Sequence, residues 1–162
     1  MNLMSMSALE RRLLVDELLA RYVRCIDDDE LERWPGFFTS AGRYIVRSRE
    51  NAARGLPTAA IYCDSRGMLA DRIVALRHAN IFEAHRYRHL LGGLLIEAVS
   101  PDSLAASCNY PVLRTRGNGV TDVFSAGVYQ DRIVVEEGQL LFAEKLVVFD
   151  TDRIDTQLVT PL

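Results

Sequence analysis

Apolar residues recur with a helical period near the start of the chain. Ser7, followed three residues later by Glu10, has the form of a capping box, in which a hydroxyl and a carboxylate satisfy the first backbone groups of a helix. Apolar side chains then return every four residues, which predicts an amphipathic helix of about five turns. The positions on this stripe are Leu14, Leu18, Tyr22 and Ile26.

Three acidic residues, 27–29, close that helix, and we expect them to cap a second, short helix. Three adjacent acids could also suggest a metal site, but acids at a helix start are favoured by the helix dipole. Pro35-Gly36 limits the second helix to a turn or two. Its spacing places Leu31, Trp34 and Phe38 together, which predicts that Trp34 belongs to the core.

The middle of the chain alternates between strand, loop and helix signals. Residues 43–49 alternate in polarity and predict a strand, and residues 50–57, which contain Gly55 and Pro57, predict a loop. Asp64-Ser65 then begins a third helix by capping it. The apolar face of this helix is expected to carry Met68, Leu69, Ile73 and Leu76.

From residue 86 onward the polarity period changes to two, which predicts strands at 87–99, 104–114, 120–135, 139–149 and 154–159. Short turns separate these strands, so we expect antiparallel pairing. Helices followed by such a meander define an α+β fold, an NTF2-like or cystatin-like cone with N-terminal helices packed on a curved antiparallel sheet. Dehydratases, isomerases, transport factors and structural subunits share this architecture, so the fold alone does not name a function.

Length and composition narrow the class of protein. The chain has 162 residues, which predicts one domain over residues 1–162. No apolar run approaches the roughly 20 residues of a membrane span, and the first residues do not have the form of a signal peptide. A net charge of −3 argues against nucleic acid as a partner. Cys25, Cys63 and Cys108 lie far apart, which is typical of a reduced, cytoplasmic protein.

Arginine dominates the basic residues, since Lys145 is the one lysine among 19 lysine and arginine residues. The codon usage of a GC-rich genome is one interpretation. The other is a large protein–protein interface, because the planar guanidinium suits such contacts.

Histidines and carboxylates are the candidates for chemistry. His85 and His89 are four residues apart and would share one side of a strand, but the flanking Arg86 and Arg88 would repel a divalent cation. We therefore favour structural imidazoles over a metal site, and His78 is interpreted as a polar residue near a helix end. A second hypothesis places an acid–base site inside the cone. Its members would be Asp64, Asp71, Tyr44, His85 and His89.

Several segments resemble the small (beta) subunits of bacterial aromatic-ring-hydroxylating dioxygenases. They are residues 25–38 (CIDDDELERWPGFF), 62–73 (YCDSRGMLADRI), 88–90 (RHL), 128–131 (VYQD) and 144–150 (EKLVVFD), followed by Pro161-Leu162. In order, they extend over nearly the whole chain. Residues 45–51, 55–57 and 64–67 are most similar to the branch that acts on monocyclic aromatic acids, such as anthranilate, salicylate and terephthalate.

This resemblance implies a division of labour between two subunits. In the family, the large (alpha) subunit carries the Rieske 2Fe-2S cluster, the mononuclear iron and the substrate pocket, and the small subunit assembles with it, commonly as α3β3. We therefore expect a non-catalytic assembly subunit that also self-associates as a trimer, with no catalytic, cofactor-binding or metal-binding residues of its own. The chain has three Cys and three His with no C-x-H pair, so it lacks the pattern of a Rieske site. The alternative is a stand-alone NTF2-like dehydratase or isomerase with a His–Asp acid–base pair.

Overall fold

Helices come first along the chain and most strands follow. A computed structural model describes residues 1–79, 84–150, 158 and 160–162, so the strand expected at 154–159 lies outside the described residues apart from residue 158. The helices are α1 (Ala8–Asp27), α2 (Arg49–Ala53) and α3 (Arg66–His78), with 3-10 helices at Leu3–Ser5 and Leu31–Phe37. The strands are β1 (Phe38–Ser48), β2 (Ile61–Cys63), β3 (His85–His89), β4 (Gly92–Val99), β5 (Ser103–Arg116), β6 (Thr121–Glu136) and β7 (Gln139–Phe149).

The predicted first helix and its capping box are confirmed. The Ser7 hydroxyl accepts the Glu10 N–H at 3.2 Å, and the Glu10 carboxylate accepts the Ser7 N–H at 2.7 Å. The helix buries the predicted side, including Leu18, Tyr22 and Ile26. None of the helices in the described part of the chain is long and apolar enough to cross a membrane.

The capping role predicted for residues 27–29 is wrong. The second helix is a 3-10 helix that begins after Glu30, and no side chain caps it. Asp29 adopts a left-handed backbone with φ 59°, which turns the chain as soon as α1 ends. The carboxylates of Asp27 and Asp29 accept hydrogen bonds from other elements instead. Trp34 is fully buried, as predicted.

The middle of the chain carries more regular structure than the pattern indicated. The first strand begins at Phe38 rather than at residue 43, and β2 was not predicted. The expected loop 50–57 begins as α2, because the Ser48 hydroxyl accepts the Asn51 N–H and caps a short helix. The third helix is confirmed with Ser65 as its cap. Its buried residues are Leu69, Ile73 and Leu76, whereas Met68 is exposed.

The sheet is mixed rather than purely antiparallel. Its strand order is β2-β1-β7-β6-β5-β3, and β4 pairs with β5 beside β3. β1 and β7 are parallel, whereas the other pairs are antiparallel. No hairpin joins β1 to β7, because the intervening helices and strands separate them along the chain, so the two strands can run in the same direction. The single strand expected at 87–99 is two strands, β3 and β4, which pair with different parts of β5.

Register in the β6–β7 hairpin shifts by one residue at a β-bulge. Ile133 pairs with Phe142, but Arg132 pairs with Glu144, so Ala143 is the extra residue. Beyond the bulge, Asp131 pairs with Lys145. Further along, β6 and β7 approach so closely that a Cβ at Gly127 would lie 2.0 Å from the Val148 carbonyl oxygen. Only glycine therefore fits at that position.

Helices and sheet enclose one hydrophobic core. The curved, unclosed sheet wraps around α1, α3 and the 3-10 helix at Leu31–Phe37, which confirms the α+β, NTF2-like cone. Aromatic rings fill its interior and meet mainly edge to face. The fully buried ones are Tyr22, Trp34, Phe38, Tyr44, Tyr110, Tyr129 and Phe142.

Candidate functional site

A charged pair lies at the centre of the cone. Lys145 Nζ is 3.0 and 3.2 Å from the two carboxylate oxygens of Asp131, and the side chains are 0% and 1% exposed. Three rings surround the ammonium group, with centroids 3.7 Å (Tyr129), 4.5 Å (Tyr22) and 4.6 Å (Phe142) from Nζ. The faces of aromatic rings attract cations, so the rings and the carboxylate together replace the water that the ammonium has lost.

Burial acts on the two members of this pair in opposite directions. Removal from water raises the pKa of the Asp131 carboxyl, and the nearby ammonium partly offsets that change. The same loss of water lowers the pKa of Lys145, and Asp131 partly offsets it. Sequence reasoning missed this pair. The available signal was the one lysine of the sequence, which lies in the mostly apolar strand β7.

A second buried pair joins β3 to the end of α1. His89 Nδ1 lies 2.6 Å from Asp27 Oδ1, and the main-chain N–H of His89 donates to Asp27 Oδ2 at 3.0 Å. The side chains are 0% and 4% exposed, and Arg88 lies 3.9 Å from the same carboxylate. His89 Nε2 has no hydrogen-bond partner within the described residues. The arrangement is that of an acid–base pair whose imidazole is enclosed by the described residues.

The predicted acid–base constellation does not form. Asp64 and Asp71 are exposed, Tyr44 is buried in the core, and His85 is half-buried on β3 with its ring 4.6 Å from that of Tyr87. The carboxylate that meets His89 is Asp27, which had been assigned to helix capping. His85 and His89 share one side of β3 as expected, but Tyr87 lies between their positions.

Metal-ligand geometry is not found among the described residues, where no group of three or more His, Cys, Asp or Glu side chains could hold a metal ion. The cysteines are free and buried, and they belong to three different elements, α1, β2 and β5. Burial raises the pKa of the Cys25 thiol to about 11 and raises those of Cys63 and Cys108 as well. The three residues act as small apolar side chains. His78 lies exposed at the end of α3, as interpreted from the sequence.

Two tyrosine hydroxyls converge on the last described residue of the chain. Tyr22 Oη donates to the main-chain oxygen of Leu162 at 2.8 Å, and Tyr44 Oη donates to the same oxygen at 3.2 Å. The Leu162 N–H in turn donates to Tyr44 Oη at 2.8 Å. Both phenols and Leu162 are at most 1% exposed, and burial raises the pKa of both tyrosines. Nothing in the sequence pattern indicated this contact.

Two of the larger clefts among the described residues lie against helix α1. One, of about 550 Å³, lies where α1 and α3 end near β3, and its lining includes Asp27, Arg77, Arg88 and Thr160. The other, of about 530 Å³, lies between α1, the Leu31–Phe37 helix and the start of β7, with arginines on its rim. Asp131 and Lys145 line neither of these clefts, and the His89–Asp27 pair meets the first cleft only through Asp27.

An α+β cone with buried polar pairs in its interior defines a class of small domains, and comparisons with known proteins identify the family. The sequence model of the ring hydroxylating beta subunit family matches residues 21–156. The chain is 44% identical over 142 residues to the anthranilate 1,2-dioxygenase small subunit of Burkholderia cepacia, covering 88% of each chain. It is 41% identical to the terephthalate 1,2-dioxygenase terminal oxygenase component subunit beta 1 of Comamonas sp., covering 88% of this chain and 93% of that one.

A solved structure agrees with these sequence comparisons. The crystal structure of a beta subunit assigned to an aromatic-ring-hydroxylating dioxygenase of Novosphingobium aromaticivorans DSM 12444 has a TM-score of 0.88 and 42% identity, covering 96% of this chain and 99% of that one. The chain belongs to the family of ring-hydroxylating beta subunits, and the resemblance stated from the sequence is confirmed.

Proposed function

We propose that this chain is the small, structural subunit of a multicomponent aromatic-ring-hydroxylating oxygenase. The observation that carries the proposal is the 44% identity to a dioxygenase small subunit over 88% of both chains. Residues 1–162 would form one domain of that complex. The single hydrophobic core, which contains residues from α1, α3 and most of the strands, supports this part of the proposal.

The proposed partner is a large oxygenase subunit, in an α3β3 assembly in which the small subunits also contact one another. The proposed substrate class is a monocyclic aromatic acid, because the named relatives belong to anthranilate and terephthalate dioxygenases. We place the complex in the cytoplasm, which the three unpaired cysteines support.

The Rieske cluster and the mononuclear iron are assigned to the large subunit. A Rieske cluster requires two cysteine and two histidine ligands, and the cysteines of this chain are buried on separate elements. No three His, Cys, Asp or Glu side chains among the described residues are grouped to hold a metal ion, so these residues fit neither the cluster nor the mononuclear iron. We assign no catalytic, cofactor-binding or metal-binding residue to this chain.

The His89–Asp27 pair is the one observation that favours the alternative, a stand-alone dehydratase or isomerase. A general base must come within hydrogen-bond reach of the proton that it removes. His89 is 0% exposed, and Asp27 holds it where β3 packs against the end of α1. This enclosure supports a structural role for the pair.

Co-expression with a Rieske-type large subunit from the same genome tests the proposal. With an affinity tag on this chain alone, we expect the large subunit to co-purify in equal amounts, with a mass by sedimentation that corresponds to α3β3. The purified complex, given a reductase and NADH, should oxidise an aromatic acid, and this chain alone should not. A chain that stays monomeric at micromolar concentration and does not retain the large subunit would contradict the proposal.

A further inference from the structure

The segment that ends the described chain lies inside the cone rather than on its surface. Thr160 is 9% exposed and Leu162 is 1% exposed. The Leu162 side chain belongs to the same buried cluster as Tyr22, Trp34 and Tyr44. Just before it, Arg72 Nη2 donates to the Leu158 main-chain oxygen at 2.7 Å, so α3 holds the segment in place.

The contact with the two tyrosines has the geometry of a binding site. Tyr22 comes from α1 and Tyr44 from β1, yet both hydroxyls donate to one oxygen atom, at 2.8 and 3.2 Å. Two convergent donors in an enclosed apolar setting are the arrangement by which proteins bind a carbonyl or carboxylate oxygen. A buried hydroxyl without an acceptor would be destabilising, so these two require an oxygen at this position whatever molecule supplies it.

The surroundings restrict what that molecule can be. The Trp34 and Tyr44 rings, whose centroids are 5.0 Å apart, belong to the apolar cluster that encloses the Leu162 side chain. Arg72 is close enough to Tyr44 for its positive charge to act on the phenol, which would favour an anionic ligand there. The complementary ligand therefore has one carbonyl or carboxylate group and a branched or cyclic apolar group about the size of a leucine side chain.

We propose that the cone contains a small-molecule site for a carboxylate or carbonyl compound of this kind, and that Leu162 occupies it in this structure. The site lies wholly within this chain and does not depend on the proposed assembly. An occupant attached to the same chain competes at an effective concentration of about millimolar or more. Added ligand therefore binds the intact chain weakly, in proportion to the fraction of molecules from which Leu162 has withdrawn.

A variant that ends at residue 159 tests this site. The probe is 4-methylpentanoate, which has the side chain and carboxyl carbon of leucine without the amino group. In calorimetric titration we expect the shortened chain to bind the probe at least tenfold more tightly than the intact chain. The probe should also raise the melting temperature of the shortened chain and leave that of the intact chain unchanged.

Matched tyrosine variants separate this site from nonspecific binding. In the shortened chain, Tyr22→Phe and Tyr44→Phe should each weaken binding about tenfold, because each removes one donor to the ligand oxygen. Tyr110→Phe is the control, since that hydroxyl pairs with Ser125 and not with Leu162. The uncharged 4-methylpentanamide distinguishes a carbonyl site, which binds both probes, from a carboxylate site, which binds the acid alone.

Each outcome decides the proposal. Binding of either probe that depends on Tyr22 and Tyr44 supports it. A folded shortened chain that binds neither probe overturns it, as does binding that the two tyrosine variants leave unchanged. If the shortened chain does not fold, Leu162→Gly keeps the backbone hydrogen bonds and opens the apolar half of the site. In that variant 2-methylpropan-1-ol should raise the melting temperature, and no rise would overturn the proposal.

Discussion

Two buried acid–base pairs lie in the same cone, but their carboxylates are held differently. Asp131 accepts its side-chain hydrogen bonds from Lys145 alone among the described residues, and the rest of that pocket is aromatic. Asp27 accepts from the His89 ring and from the His89 main-chain N–H, and Arg88 lies 3.9 Å away. The backbone donor and Arg88 would remain near Asp27 after a change of the His89 side chain, whereas Asp131 would lose its one cation. The two pairs should therefore respond very differently to loss of the base.

Removal of the lysine should have the largest effect. Lys145→Met keeps an unbranched side chain that is one atom shorter, and it leaves the Asp131 carboxylate buried without a cation. We expect the free energy of unfolding to fall by about 3–5 kcal/mol, which is typical when one partner of a buried ion pair is lost. Urea denaturation followed by circular dichroism would measure this. Wild-type stability in the variant would show that Asp131 does not need the ammonium.

A double variant is the control for that experiment. Lys145→Met combined with Asp131→Leu replaces the pair with apolar side chains, and such replacements are often neutral or stabilising. We expect most of the lost stability to return. If the double variant were less stable than Lys145→Met alone, the carboxylate would be favourable by itself, and the reasoning from burial would be wrong.

The pH dependence of the Lys145→Met variant should show which group carries the defect. Burial raises the pKa of Asp131 above its ordinary value of 3.8, and without the ammonium this rise is no longer opposed. A carboxyl group whose pKa is higher in the folded state than in the unfolded state stabilises the fold while it is protonated. For Asp131 this contribution is complete below the ordinary pKa of 3.8, and it is lost as the pH rises through the folded-state pKa. The difference in stability between variant and wild type should therefore be smaller in mild acid than at neutral pH. A difference that does not change with pH would exclude Asp131 as its source.

Replacement of the histidine should have a smaller effect. In His89→Gln, Asp27 keeps the main-chain N–H of residue 89 and the nearby Arg88, so we expect a loss of about 1–2 kcal/mol in unfolding free energy. Assembly with the large subunit and turnover by the complex should be unchanged. His85→Gln is the matched control on the same side of β3. A loss of turnover by orders of magnitude, with assembly and iron content intact, would restore the acid–base hypothesis.

Loss of the exposed ion pairs around Arg77 should have the smallest effect on the free energy of unfolding. Arg77 at the end of α3 donates to Asp29 and Glu32, whose side chains are 70% and 65% exposed. Solvent screens such pairs, so Arg77→Ala should cost about 1 kcal/mol or less, and less still in 1 M salt. Thermal melts at two salt concentrations would measure both effects. A loss as large as that of Lys145→Met would show that the exposed cluster contributes as much to stability as the buried pair.

The sequence predicted the outer framework of this fold better than its interior. Helices α1 and α3 were predicted because their caps, Ser7 and Ser65, and their apolar spacing are local signals. The Asp131–Lys145 contact depends on the bulge at Ala143, because an unbroken two-residue hairpin would pair Asp131 with Glu144 instead. A one-residue shift in register reverses the face of every later side chain, and no local pattern predicts it.

The candidate site shows the same limit. The sequence singled out His89 as a candidate and offered Asp64 and Asp71, at the start of α3 and on it, as carboxylate partners. Asp27 was interpreted as a cap, because acids between two helices commonly cap the second one. Only the tertiary packing of β3 against the end of α1 brings His89 and Asp27 together. The Leu162 contact joins residues more than a hundred positions apart, and no sequence pattern predicted that they would meet.

The position of Lys145 has a consequence for covalent chemistry. It is the one lysine of the sequence, and its amine is 0% exposed. Acylating reagents, acetyl donors and amine-directed crosslinkers would find no lysine side chain on the folded chain. Labelling of Lys145 requires the sheet to open around β6 and β7. The rate at which a succinimidyl ester acylates Lys145 can be measured as a single mass increment on one peptide. This rate therefore reports how often the sheet opens around Lys145.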